Sequence, residues 1–156
     1  MKSPKEEFID LLCEIHKKKG LDELSSKLLA ILYIEPGELS LEELAERTGY
    51  SLSSVSSAMK LISKSGIVKK ARKPGSRKLY FYMEKNIVNE LLQTLKKTMQ
   101  EVVLTAKERV PKIIRRYKAE RGAKEELKII ENYYKQLLVM EGVMKKVISM
   151  FEKVKQ

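Results

Sequence analysis

Between Ser40 and Tyr82 the chain carries two short helix patterns joined by a tight turn, then a basic hairpin pattern, and few folds accommodate that order. The first pattern reads S-L-E-E-L-A-E-R-T-G and the second S-L-S-S-V-S-S-A-M-K-L-I-S-K-S-G. I-V-K-K-A-R-K follows, then P-G-S at a tip, then R-K-L-Y-F-Y. Ser40 with Glu43 three residues later makes a capping box, and Leu39 and Leu44 occupy the staple positions around it. Leu41, Leu44 and Ala45 face inward, and Gly49 closes this helix. Ser51 caps the next helix and Gly66 ends it. Its apolar positions Leu52, Val55, Met59 and Ile62 predict a buried stripe, with Tyr50, Ser53, Ser57, Lys60 and Lys64 opposite. Ile67 to Ala71 and Leu79 to Tyr82 read as strands around Pro74-Gly75-Ser76. A helix-turn-helix followed by a two-stranded wing is an arrangement that reads duplex DNA.

Charge follows the same map. The net charge of the 156-residue chain is +11. From Ser51 to Lys85 nine Lys/Arg stand against the single acid Glu84, whereas Leu21 to Tyr50 holds seven acids and two cations. The basic charge therefore begins where the second helix begins, which is the footprint of a polyanion-binding surface. Lys69, Lys70, Arg72, Lys73, Arg77 and Lys78 place six cations in ten residues without an acid. A hairpin so charged lies along phosphates or inserts an arginine into a minor groove, and lysines also guard an exposed strand edge. On the second helix Ser51, Ser53, Ser54 and Ser57 are small enough to approach the floor of a major groove, with Lys60 and Lys64 alongside. Ser76 sits at the wing tip among the cations.

The flanks read as helices. One runs from about Pro4 to Lys19 with Phe8, Leu11, Leu12 and Ile15 at helical spacing, and another from about Asp22 to Ile34 with Leu24, Leu28, Ile31 and Leu32 on one face. After the wing, Val88, Leu92, Leu95, Met99, Val102 and Ala106 step as a heptad seam, which Val110, Ile113 and Tyr117 continue one residue out of register. Pro111 removes a backbone donor, so a kink or break is expected near Val110. Gly122-Ala123 marks a connection, and a last helix runs from about Lys124 to Val154 with Leu127, Ile130, Tyr134, Leu137, Met144, Ile148 and Phe151 as its stripe. These seams serve either an intramolecular core or a dimer interface. Since groove readers usually pair on two half-sites, the dimer is the reading adopted, with Phe8, Leu12, Leu92, Leu95, Met99, Val102, Leu137, Met144, Ile148 and Phe151 as its residues.

Other chemistry finds little support. Cys13 is the sole cysteine, so no internal disulfide forms; with His16 it offers two metal ligands where three or four are needed, and no metal or cofactor is expected. No phosphate loop, zinc-protease helix or nucleophile elbow is present, which argues against an enzyme. Tyr33, Tyr80, Tyr82, Tyr117, Tyr133 and Tyr134 either pack the core and wing or contribute to a small-molecule pocket. The longest apolar run, Leu28 to Ile34, is seven residues, far below the ~20 of a membrane span, and the polar start M-K-S-P-K-E-E-F is unlike a secretory signal, so a cytoplasmic protein is expected.

The run from Ser26 to Lys70, which opens S-K-L-L-A-I-L-Y-I-E-P-G-E-L-S, and the following P-G-S-R-K-L-Y-F-Y resemble the MarR superfamily of winged-helix regulators. Gly75-Ser76-Arg77-Lys78 followed by Tyr80 and Tyr82 is most similar to its GbsR-like branch. The resemblance implies a dimeric, ligand-responsive transcriptional regulator, usually a repressor, with a recognition helix at Ser51–Ser65 and a wing at Lys69–Tyr82. Many relatives carry arginine where this chain has Ser57, which shifts weight toward the wing. The expected architecture is mainly α: an N-terminal dimerisation helix (1–20), a winged helix-turn-helix with a two-stranded wing that binds double-stranded DNA (21–85), and long C-terminal dimerisation helices (86–156). A small-molecule effector of unknown identity is the further expected partner. The alternative is an adaptor that packs DNA without sequence choice or binds proteins.

Overall fold

A computed structural model describes residues 1–120 and 123–154. The chain divides into two compact units, Met1–Lys85 and Asn86–Gln156.

In the first unit, α1 (Pro4–Lys18) starts at a capping box of Ser3 and Glu6 and packs along α2 (Glu23–Ile34), whose N-cap is Asp22. Glu35-Pro36-Gly37 breaks the chain. β1 (Leu39–Ser40) leads into α3 (Leu41–Thr48), and the expected capping box forms: the Glu43 amide donates to Ser40 Oγ and the Ser40 amide to Glu43. Gly49, at φ 76°, turns the chain out of α3 as only a residue without Cβ does readily. α4 (Leu52–Ile62) follows from the Ser51 cap and tightens into a 3₁₀ turn at Ser63–Ser65 before Gly66.

β2 (Val68–Arg72) and β3 (Leu79–Met83) form the hairpin, and β1 adds to β3, giving a three-stranded antiparallel sheet in the order β1-β3-β2. The wing itself is two-stranded, as expected, and β1 extends its sheet by a third strand. Leu39, read as a staple residue, also pairs with Phe81 and so covers part of the β3 edge that faces away from β2. The core gathers Leu28, Leu29, Ile31, Leu32, Leu44, Val55, Met59, Ile62, Val68, Phe81 and Met83. Leu52 is not part of it: it is 48% exposed, whereas Val55 and Met59 have no exposure.

In the second unit, α5 (Ile87–Thr98) and α6 (Leu104–Ala119) are joined by a π-helical turn, Met99–Val103. α7 (Lys124–Val154) packs back along both. The ion pairs Lys118–Glu131, Lys107–Glu141 and Lys96–Glu152 fix its antiparallel register. The π turn corrects the expected seam. Its wider winding advances the apolar face by one residue, so Val103 is fully buried and Val102 is 49% exposed. The break expected at Pro111 is also absent: α6 runs through it. The turns on either side are held to α7 by Lys107 and Lys118, and the register change has already occurred at Met99–Val103. Of the expected Gly122-Ala123 connection, Gly122 lies outside the described residues.

Candidate nucleic-acid interface

α4 is fastened to the core by Val55, Met59 and Ile62, which leaves Ser53, Ser57 and Lys60 exposed on its outer face, with Lys64 exposed in the 3₁₀ turn beyond. Its angle to α3 is set by a three-residue turn, Gly49–Ser51. Thr48 Oγ1 donates to the Leu44 carbonyl at 2.7 Å, and Lys27 Nζ donates to the Thr48 carbonyl at 2.9 Å, a cation at the negative end of α3 supplied by α2. At the start of α4 the serines bond to one another. Ser51 Oγ accepts from the Ser54 amide at 3.2 Å and lies 3.1 Å from Ser53 Oγ and 2.8 Å from Ser54 Oγ. Ser57 lies one turn further along the exposed face.

The wing pairs Lys69 with Tyr82, Lys70 with Phe81, Ala71 with Tyr80 and Arg72 with Leu79. At the tip the Ser76 amide donates to the Lys73 carbonyl and Gly75 holds φ 75°; Ser76 Oγ then accepts from the Lys78 amide. Lys69, Lys70, Arg72, Lys73, Arg77 and Lys78 are all exposed, so the expected basic surface exists. They are not equivalent, which the sequence does not show. Lys69 lies 3.8 Å from Glu84, Lys73 3.7 Å from Glu38 and Lys78 3.6 Å from Glu42. Lys73 also stacks over the Tyr80 ring, and Lys85 over that of Tyr82. Among the described residues, Lys60, Lys70, Arg72 and Arg77 carry no ion pair. The acids that meet the wing come from the segment before β1, from the first turn of α3 and, at Glu84, from just after β3. The Lys78 ammonium helps, after the local backbone, to hold the Glu42 carboxyl below its ordinary value.

An open cavity of about 440 Å³ lies among α1, α2 and α3, lined by Lys5, Ile9, Asp10, Lys27, Ile31 and Arg47, with Glu6 and Glu35. Glu35 accepts from Arg47 at 2.5 Å and Lys5 at 3.1 Å, and the Arg47 hydrogen bond foremost lowers its pKa. No sequence signal linked these three residues.

The residues expected to mediate dimerisation divide. Leu137 and Met144 are buried within the second unit's own core, Leu95 and Met99 pack against it, and Leu92 is buried. Ile148 and Phe151 are half-buried, as is Leu12, whereas Phe8 and Val102 are exposed. α7 carries a second apolar stripe beside its core-facing one. Ile129, Tyr133, Met140, Val143, Met150 and Val154 recur at heptad spacing and are each at least 40% exposed.

Among the described residues no cluster of His, Cys, Asp or Glu is arranged to hold a metal, and no helix is long and apolar enough to cross a membrane. The first unit is a winged helix-turn-helix in a mainly helical chain. Residues 19–78 match the model of the MarR family. The solved structure of a protein described as a transcriptional regulator superposes with a TM-score of 0.72 at 16% identity, over 97% of this chain and 99% of that one. At that identity the likeness establishes the fold. No curated protein matched the sequence.

Proposed function

We propose that the protein is a sequence-specific, duplex-DNA-binding transcriptional regulator, a homodimeric cytoplasmic repressor of the GbsR-like branch that responds to a small molecule. One observation carries the DNA reading: a capped α4 presents Ser57 and Lys60 free of any covering element, on the same unit as a hairpin whose Lys70, Arg72 and Arg77 carry no ion pair. This puts a groove-sized helix and phosphate-binding cations on one rigid core.

Self-association is supported by the bare stripes Phe8-Leu11-Ile15 on α1 and Ile129 to Val154 on α7, since a monomer seldom leaves so many large apolar side chains in water. The α1–α2–α3 cavity supports an effector, because a ligand there would touch Arg47 of the helix-turn-helix and Lys5 of α1 together. No residue of this reading catalyses a reaction.

The test is competition binding with the duplex upstream of the protein's own gene against scrambled duplexes, backed by selection from a random library. A preferred sequence is expected. Affinity should fall roughly 10³- to 10⁵-fold between 50 and 200 mM salt if about six to ten phosphates are neutralised. Equal affinity for every duplex would favour the non-specific adaptor instead.

A further inference from the structure

We infer that Leu52 reads sequence, by packing its side chain on the 5-methyl group of a thymine in the major groove. This rests on the DNA-binding reading above and adds a reader to it. Residues at the N-terminal end of a recognition helix are the ones that reach base edges. In α4 those are Ser51 to Ser54. Ser51 is committed to the cap, and the Ser53 and Ser54 hydroxyls are both within hydrogen-bond distance of its oxygen. The first turn therefore meets the groove with its polar groups already engaged with each other.

Leu52 stands among them. Its place in the helical period belongs to the buried stripe, yet it is 48% exposed and absent from the core that holds Val55 and Met59. It is the one exposed apolar side chain in the first turn of α4. In the major groove the apolar feature that distinguishes one base pair from the others is the thymine methyl. Binding would thus remove from water a leucine that folding leaves there. Leu61, 63% exposed, sits about two and a half turns along, near the C-terminal end of α4, where the helix leaves the bases.

The experiment takes the duplex preferred by the wild-type protein and replaces each thymine in turn with deoxyuridine, which removes only the methyl. One position per half-site should lose about fourfold in affinity, the worth of one buried methyl. Leu52→Ala should bind thymine and deoxyuridine equally there, while Leu52→Met, which keeps an apolar group, and Leu61→Ala should still discriminate. Circular dichroism checks that each variant folds, and Leu52→Met keeps the test alive if Leu52→Ala does not. The inference is overturned if no thymine methyl matters, if discrimination survives Leu52→Ala, or if Leu61→Ala abolishes it instead. A wild-type protein with no preferred duplex would sink the DNA-reading proposal itself, and Leu52 with it; the two failures are distinct.

Discussion

The two units bury apolar surface to very different degrees. The first closes on itself: Leu28, Leu32, Leu44, Val55 and Met59 have no exposure, and Phe81 and Met83 almost none. The second buries Val103 and Leu92 as fully, but Leu137 and Met144 only nearly so, and it seats the carboxylate of Glu141 beside them. That carboxylate accepts from Lys107 and Lys145, which keep it ionised, Lys145 foremost. Its α7 meanwhile shows solvent a second heptad stripe. A sheet braced by helices encloses a core within 85 residues, whereas a long helical hairpin has more flank than it can cover. The contrast teaches that a sheet lets the first unit close a core around itself, whereas the helical hairpin leaves an apolar flank of α7 uncovered.

Truncation within the closed core should show the largest effect. Phe81→Ala should cost about 3–5 kcal/mol of the first unit's stability, read by denaturant unfolding. Ile129→Ala, at a side chain 69% exposed, should cost under about 0.5 kcal/mol when measured on monomer. Similar losses at both sites would erase the contrast.

The next effect is on assembly. Met140→Glu with Val143→Glu places two charges in the bare α7 stripe and should weaken self-association on the order of a hundredfold while the helix content stays. Leu95→Glu with Met99→Glu should instead unfold the second unit, since both residues line its own core. Light scattering with circular dichroism separates these outcomes. A wild-type protein that is monomeric at micromolar concentration would show that the stripe has some other use.

What the sequence made legible divides along the same line. The caps of the first unit are local chemistry, so Ser40 with Glu43, Ser51, Gly49 and Gly66 could be read from a few neighbouring residues. Periodicity marked the buried face of α4 but not where its cover ends, hence Leu52. β1 is only two residues long, too short for any alternation to register, and exists because Phe81 lies opposite Leu39. In the second unit the steps from Val88 to Ala106 fit an unbroken heptad, and a π turn leaves no mark in such a pattern; only packing decides between Val102 and Val103. The pairing of wing lysines with Glu38 and Glu42 joins residues more than thirty positions apart, beyond any local rule.

That pairing gives a third, smaller expectation. Exposed ion pairs at 3.6 and 3.7 Å add little to stability, but they place carboxylates beside cations that DNA would claim. Glu38→Gln with Glu42→Gln should raise affinity for scrambled duplexes about tenfold at low salt and steepen the salt slope by up to about two. Unchanged slopes would mean that Lys73 and Lys78 do not meet phosphate.

The smallest effect lies in the closed unit's response to acid. His16 is the chain's single histidine, on α1 and 9% exposed. Burial, followed by the nearby Lys19 charge, lowers its pKa below the ordinary value. The folded state thus favours the neutral ring, while the unfolded chain takes up a proton near pH 6.5. Above that pH the ring is neutral in both states and its contribution to stability is fully present. As pH falls, the unfolded chain binds the proton first, so stability declines down to the folded pKa and then levels. Carboxylates such as Glu35, whose pKa is lowered by Arg47, lose their contribution only at more acid pH, below about 4.3, so the interval between isolates the histidine. Denaturation midpoints of the wild-type protein should fall between pH 7 and 5, and His16→Gln should flatten that interval without altering the acid limb. A slope unchanged in His16→Gln would place the proton uptake elsewhere and leave the buried ring without a part in it.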